Sequence, residues 1–138
     1  EALFRLGIPL SVVGRAGSRG LAIVRRAGLP TLAEGFADRR YAAAGTLVER
    51  SQPGAVLQQA EAICGQALRL IRERSVQASD GSDLVFDDPI DTLCLHSDTP
   101  SAEALAAQLR QRLEGLGIAV RPPPALHRAP ATLHGPRR

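Results

Sequence analysis

Two short runs, Ile8 to Val13 (IPLSVV) and Thr92 to His96 (TLCLH), are apolar along their length instead of alternating between apolar and polar residues. A strand of that kind fits a parallel sheet, which is covered on both faces. The segments between the runs carry helical spacing. Ser18 to Ala27 reads as a helix with Gly28 as its stop. Gln59 to Arg74 is a second helix, with Ile63, Ala67, Leu70 and Ile71 on one face. Ala102 to Leu113 is a third, with Ser101 as its cap, Glu103 in its first turn, and Gly115 and Gly117 ending it. Thr31 to Phe36, Leu84 to Phe86 and Ile118 to Val120 are further strands, residues 79–83 form a turn, and residues 37–55 form a loop rich in Gly, Pro, Ser and charge. Strands and helices in this order make an α/β fold. There are too few strands for a closed barrel, which needs about eight strands and ~250 residues.

The 138 residues suffice for one domain with a core. Aromatic residues are only 3%, so that core is built of Leu, Val, Ile and Ala. All 17 basic residues are arginine, which excludes lysine chemistry: no Schiff base and no P-loop lysine. The net charge of +3 invites a nucleic-acid reading, but the arginines are scattered and form no stripe, so no nucleic-acid partner is expected. Cys64 and Cys94 form no CxxC and are expected as buried thiols. No run approaches the ~20 apolar residues of a membrane span, and no basic-then-apolar leader is visible, so a cytoplasmic location is expected. From Pro122 onward the sequence is Pro- and Arg-rich and is expected to be disordered.

The chemistry concentrates in residues 34–55 (EGFADRRYAAAGTLVERSQPGA) and at the end of TLCLH. In parallel α/β folds the carboxyl ends of the strands build the site. Glu34 and Asp38 stand at one strand end and His96 at another, with Asp98 beyond it. A carboxylate there can act as a base or position water. Alternatively Asp38 and Arg39 form an ion pair that fixes the loop, and His96 donates to a backbone carbonyl. Arg39, Arg40 and Arg50 present planar forks suited to carboxylate or phosphate. Gly54 permits close backbone approach or simply a turn. Gly14 to Ser18 resembles a phosphate-binding turn but lacks the full glycine pattern. One histidine outside the tail does not make a metal centre, which takes three or more protein ligands.

EGFADRRYAAAGTLVERSQPGA resembles the E-x-FADR-x-Y-x-x-x-G-x-LV-x-R-S-x-x-GA segment of the LamB/YcsF family, the family of the 5-oxoprolinase A subunit. TLCLHSDTPSAEALAAQLRQRLEGLGIAV resembles the family's closing I-C-x-HGD, helix and G-I-x-V strand. The resemblance spans about residues 8–120. It implies part of a (β/α) barrel-like fold related to polysaccharide deacetylases, with residues 1–121 as its C-terminal half and 122–138 as a tail. It implies ATP-dependent opening of 5-oxo-L-proline to L-glutamate with subunits B and C. Glu34, Asp38 and His96 then become catalytic candidates, and Arg39, Tyr41, Arg50 and Gly54 candidates for substrate or anion binding. The family's D-L-N-x-D-x-G-E opening and K-P-H-G segment are absent, so a divalent metal is expected only together with that N-terminal half, and the chain alone is expected to be inactive. Ser97 stands in place of the Gly of HGD, and Glu49 in place of the Pro of LVPR. Two rival expectations are a non-catalytic module that binds anions or docks a partner through an open sheet edge, and a carbohydrate deacetylase-like hydrolase.

Overall fold

A computed structural model describes residues 10–123. Its elements are β1 (Val12–Arg15), α1 (Arg19–Arg26), β2 (Thr31–Phe36), α2 (Ala60–Glu73), β3 (Ser75–Gln77), β4 (Asp83–Val85), β5 (Thr92–Cys94) and α3 (Ala102–Gly115). The sheet is α/β and parallel as expected: three strands in the order β1-β2-β5, with Val12 opposite Thr31 and Phe36 opposite Cys94. Among the described residues the strands do not close into a barrel.

The register decides which residues share a face, because side chains alternate along a strand. Gly14, Ala33, Gly35 and Leu93 fall on one face, and all three helices pack there. A Cβ on Gly14 would meet Leu21 of α1 at 3.0 Å, and one on Gly35 would meet Leu70 of α2 at 3.2 Å. Leu93 and Leu95 pack with Leu105, Leu109 and Leu113 of α3. The glycines are therefore positions of close helix approach. The opposite face carries Val13, Arg15, Glu34, Phe36, Thr92 and Cys94, and Val13 is 49% exposed. Coverage of both faces, expected from the apolar runs, is thus corrected: among the described residues every helix lies on one side.

Other expectations shift. The first strand begins at Val12, not Ile8, and contains Gly14 instead of stopping before it; residues 1–9 lie outside the described residues. Ile118 to Val120 forms no strand, since among the described residues no neighbouring strand lies beside it to complete a ladder. The fourth strand is one residue earlier than expected, and it pairs with β3, an unforeseen partner, in an antiparallel hairpin. Arg74 turns the chain into β3 by leaving α2 in the left-handed region (φ 52°). Ser101 holds the N-cap position of α3 but is itself left-handed (φ 60°), and its side chain caps nothing. Both cysteines are free and partly buried. The expected tail falls, from residue 124, outside the described residues.

Candidate functional site

The carboxyl ends of β2 and β5 lie side by side, and each chain runs on into polar sequence. Continuing the alternation of β2 past Phe36 puts Asp38 on the helix-free side, and continuing that of β5 past Cys94 puts His96 beside it. Asp38 is fully buried. Its Oδ2 accepts from the His96 backbone N–H at 2.9 Å and from the Thr99 hydroxyl at 3.2 Å. Its Oδ1 lies 2.9 Å from His96 Nδ1. An acceptor-only carboxylate at Nδ1 calls for the ring proton there, which leaves the Nε2 lone pair free. The His96 side chain keeps 23% of its surface exposed, and its ring stacks on Phe36 at a centroid distance of 5.7 Å. The arrangement is a buried carboxylate orienting a partly open imidazole.

The strained start of α3 belongs to this construction. Backbone bonds from Ala102 to the Thr99 carbonyl and from Thr99 to the His96 carbonyl wind residues 96–102 into a tight turn. That turn brings the Thr99 hydroxyl to Asp38. Gln66 of α2 fixes the other side: its amide donates to the carbonyls of Phe36 (2.7 Å), Ala37 (3.2 Å) and Arg39 (2.8 Å). Neither Thr99 nor Gln66 was singled out in the sequence. Thr99 lies three residues past His96, and Gln66 is a polar residue on the otherwise apolar face of α2, which is the signal that would have found it.

The ion pair between Asp38 and Arg39 does not form. Asp38 turns to His96, while Arg39, only 8% exposed, donates to the Val48 carbonyl at 2.6 Å. Its Nε is buried and has no hydrogen-bond partner among the described residues. His96 likewise serves the carboxylate and not a backbone carbonyl. Arg50 reaches across from the loop to Asp98 at 2.6 Å, tying the two site segments together. That bond holds the Asp98 carboxyl below its usual range. Tyr41 is fully buried, its hydroxyl accepts from the Phe36 N–H at 2.8 Å, and its ring meets Phe86 edge-on. Burial pushes the Tyr41 hydroxyl up to about 12. Tyr41 therefore supports the end of β2 from beneath. Gly54 is an exposed turn residue (φ 74°) with open space around it.

Glu34 lies one step back on the same sheet face, next to Cys94 and Tyr41. Burial, then Glu34 and Asp38, push the Cys94 thiol up to about 11 against the opposing charge of Arg39. Glu34, Asp38, Arg39 and His96 thus gather around one strand end, while Gly54 stands apart. Among the described residues no group of three His, Cys, Asp or Glu side chains is placed to hold a metal ion. The Gly14–Ser18 turn is engaged by the chain's own groups. Phe86 packs 3.3 Å from where a Cβ on Gly17 would be, Arg15 donates to the Gly45 carbonyl, and the Ser18 hydroxyl caps α1 by accepting from the Leu21 N–H.

Comparison with known proteins shows what the chain is similar to. The chain is 39% identical over 122 residues to the 5-oxoprolinase A subunit 3 of Pseudomonas syringae pv. tomato, covering 88% of this chain and 47% of that protein. It is 45% identical over 114 residues to the 5-oxoprolinase A subunit of Chloroflexus aggregans, covering 83% of this chain and 44% of that protein. The crystal structure of a lactam utilization protein from Thermus thermophilus superposes with a TM-score of 0.76 at 34% identity, covering 87% of this chain and 47% of that one. The chain thus spans just under half the length of the relatives it matches. No helix among the described residues is long and apolar enough to cross a membrane. The LamB/YcsF family model matches residues 1–128, and the chain belongs to that family.

Proposed function

We propose that this chain supplies one wall of the reaction centre in the A subunit of a 5-oxoprolinase, the enzyme that opens 5-oxo-L-proline to L-glutamate. The observation that carries the reading is the buried Asp38 oriented on a partly open His96, in a chain whose relatives bear that name. Opening the ring is an amide hydrolysis. Water adds to the ring carbonyl, the C–N bond breaks, and the nitrogen leaves with a proton. His96 Nε2 takes the proton from water and returns it to the leaving nitrogen. Asp38 stabilises the imidazolium between those steps and keeps the ring turned outward. Glu34, on the same face, positions water or receives a proton in transit.

Arg39 and Arg50 are the groups for the substrate carboxylate. Among the described residues, the buried Nε of Arg39 has no hydrogen-bond partner. Arg50 engages a carboxylate of the chain itself, Asp98, and can exchange it for that of the substrate. Tyr41 and Gly54 act through the loop, one by bracing it and the other by turning it. ATP, when bound, supplies the driving force that a stable cyclic amide requires. We assign the binding of ATP to the assembled enzyme, with subunits B and C. Any divalent metal is assigned to the other half of the A subunit, and the chain by itself is inactive.

The test is turnover of 5-oxo-L-proline in the presence of ATP. The full chain is supplied with the portion of a related A subunit that it does not match, together with the B and C subunits. Glutamate forms only when all are present. No turnover from the complete mixture, when the same mixture built on an intact A subunit is active, contradicts the reading.

A further inference from the structure

A hydrogen bond at Nδ1 fixes one edge of an imidazole but leaves its plane free to swing about that bond. For His96 the edge contact is Asp38, 2.9 Å from Nδ1. The plane is fixed from another direction. The Phe36 ring lies against the imidazole, with centroids 5.7 Å apart and planes inclined by 29°, within the range of offset aromatic stacking. The sheet register explains the meeting. Phe36 is opposite Cys94 across the β2–β5 ladder. Asp38 and His96 stand two residues further on in each segment, so the alternation of side chains brings all four to the same face.

Phe36 is held in its turn by its neighbours. Its backbone N–H donates to the buried Tyr41 hydroxyl at 2.8 Å, and its carbonyl accepts from the Gln66 amide at 2.7 Å. Its partly buried side chain packs against the core cluster that contains Tyr41. The ring is therefore a fixed platform under the imidazole. In the proposed reaction Nε2 takes a proton from water and His96 becomes a cation. A cation within about 6 Å of an aromatic centroid is attracted by the face of that ring. The neutral imidazole gains no such attraction, so the contact strengthens as charge develops, which is the condition for an interaction to speed a reaction.

We propose that Phe36 is a positioning residue of this centre: its ring fixes the direction of His96 Nε2 and stabilises the imidazolium. The catalytic part rests on the function proposed above; the stacking does not. A Phe36 that only filled the core would act through its volume alone, and that difference is measurable.

The experiment has two arms. In the first, NMR of the full 138-residue chain reads the imidazole C–H protons of His96, identified by their loss in His96→Ala. They are expected upfield of their positions in the urea-unfolded chain, displaced by the Phe36 ring current. Phe36→Leu, which keeps the apolar packing, is expected to abolish that displacement. In the second arm the assembled enzyme carries at position 36 phenylalanines of increasing ring fluorination, which keep the shape and weaken the negative face. Here kcat is expected to fall stepwise, about tenfold in all, the scale of a desolvated cation–π contact, with KM unchanged within about twofold. Phe36→Tyr, which keeps an aromatic face, is expected to retain kcat within about threefold. Imidazole protons with no upfield displacement, or with a displacement that survives Phe36→Leu, overturn the stacking. A kcat indifferent to fluorination in an active assembly overturns the catalytic part and leaves Phe36 a core residue. An inactive unsubstituted assembly, with the displacement present, supports the stacking and counts against the function proposed above.

Discussion

Asp38 has no exposed surface and three donors aimed at it, and this makes it the residue most sensitive to change. Asp38→Asn keeps the volume but turns an N–H₂ toward at least one of those donors, leaving a buried polar group unpaired. Stability is expected to fall by about 2 kcal/mol, the typical cost of such a group, read from the urea midpoint. The two raised acids give a second prediction. Tyr41 and Cys94 hold their protons more tightly folded than unfolded. Folding is therefore fully favoured by these groups below their ordinary values and loses that support as pH climbs through about 11 for Cys94 and about 12 for Tyr41. Cys94→Ala is expected to flatten the first part of that alkaline loss in a pH series of thermal melts. By the same cause, Cys94 is expected to react with iodoacetamide at pH 8 roughly tenfold or more slowly than in the unfolded chain, since the thiolate is the nucleophile. At this scale the sequence was informative about identity and not about pairing. Asp38, Arg39 and His96 stood out as polar groups at strand ends. That Asp38 would choose His96, 58 positions away, over its neighbour Arg39 depends on the sheet register, which a single sequence does not display.

At the scale of elements, the sheet is tuned to its helices by small residues. Gly35→Ala would put a Cβ 3.0 Å from Ile90 and 3.2 Å from Leu70. Overpacking of this kind is expected to cost about 1–3 kcal/mol and to shift the end of β2 on which Asp38 stands. Gln66→Leu leaves the carbonyls at the start of the loop without their donor and is expected to cost about 1–3 kcal/mol, with faster amide exchange at residues 38–41. Helix positions were legible because their apolar spacing is regular and their stops are chemical: Ser18 caps α1, and α2 runs from Ala60 to Glu73 within the Gln59 to Arg74 expected. The hairpin of β3 and β4 was not legible in full, since three-residue strands are too short to show a period. With the structure in hand, the alternation of β2 matches its two faces. Ala33, Gly35 and Ala37 alternate with Glu34, Phe36 and Asp38, small toward the helices and chemical toward the open face.

At the scale of the molecule, the parts agree on a division of labour. One side of the sheet holds the helices; the other holds Glu34, Asp38 and His96, with Tyr41 buried close by. The parallel α/β class and the family followed from two separated segments of sequence. The open face did not, because apolar runs signal burial without saying which chain provides it. In the function proposed above, Asp38 and His96 work as a pair. The direct measurement is steady-state turnover of 5-oxo-L-proline by the assembled enzyme carrying Asp38→Asn or His96→Ala, with circular dichroism confirming that each variant is folded. Each substitution is expected to lower turnover by about 100-fold or more, the scale of a lost acid–base group, and the double variant to fall little further. Turnover within about threefold of the unsubstituted enzyme, in folded variants, would contradict it.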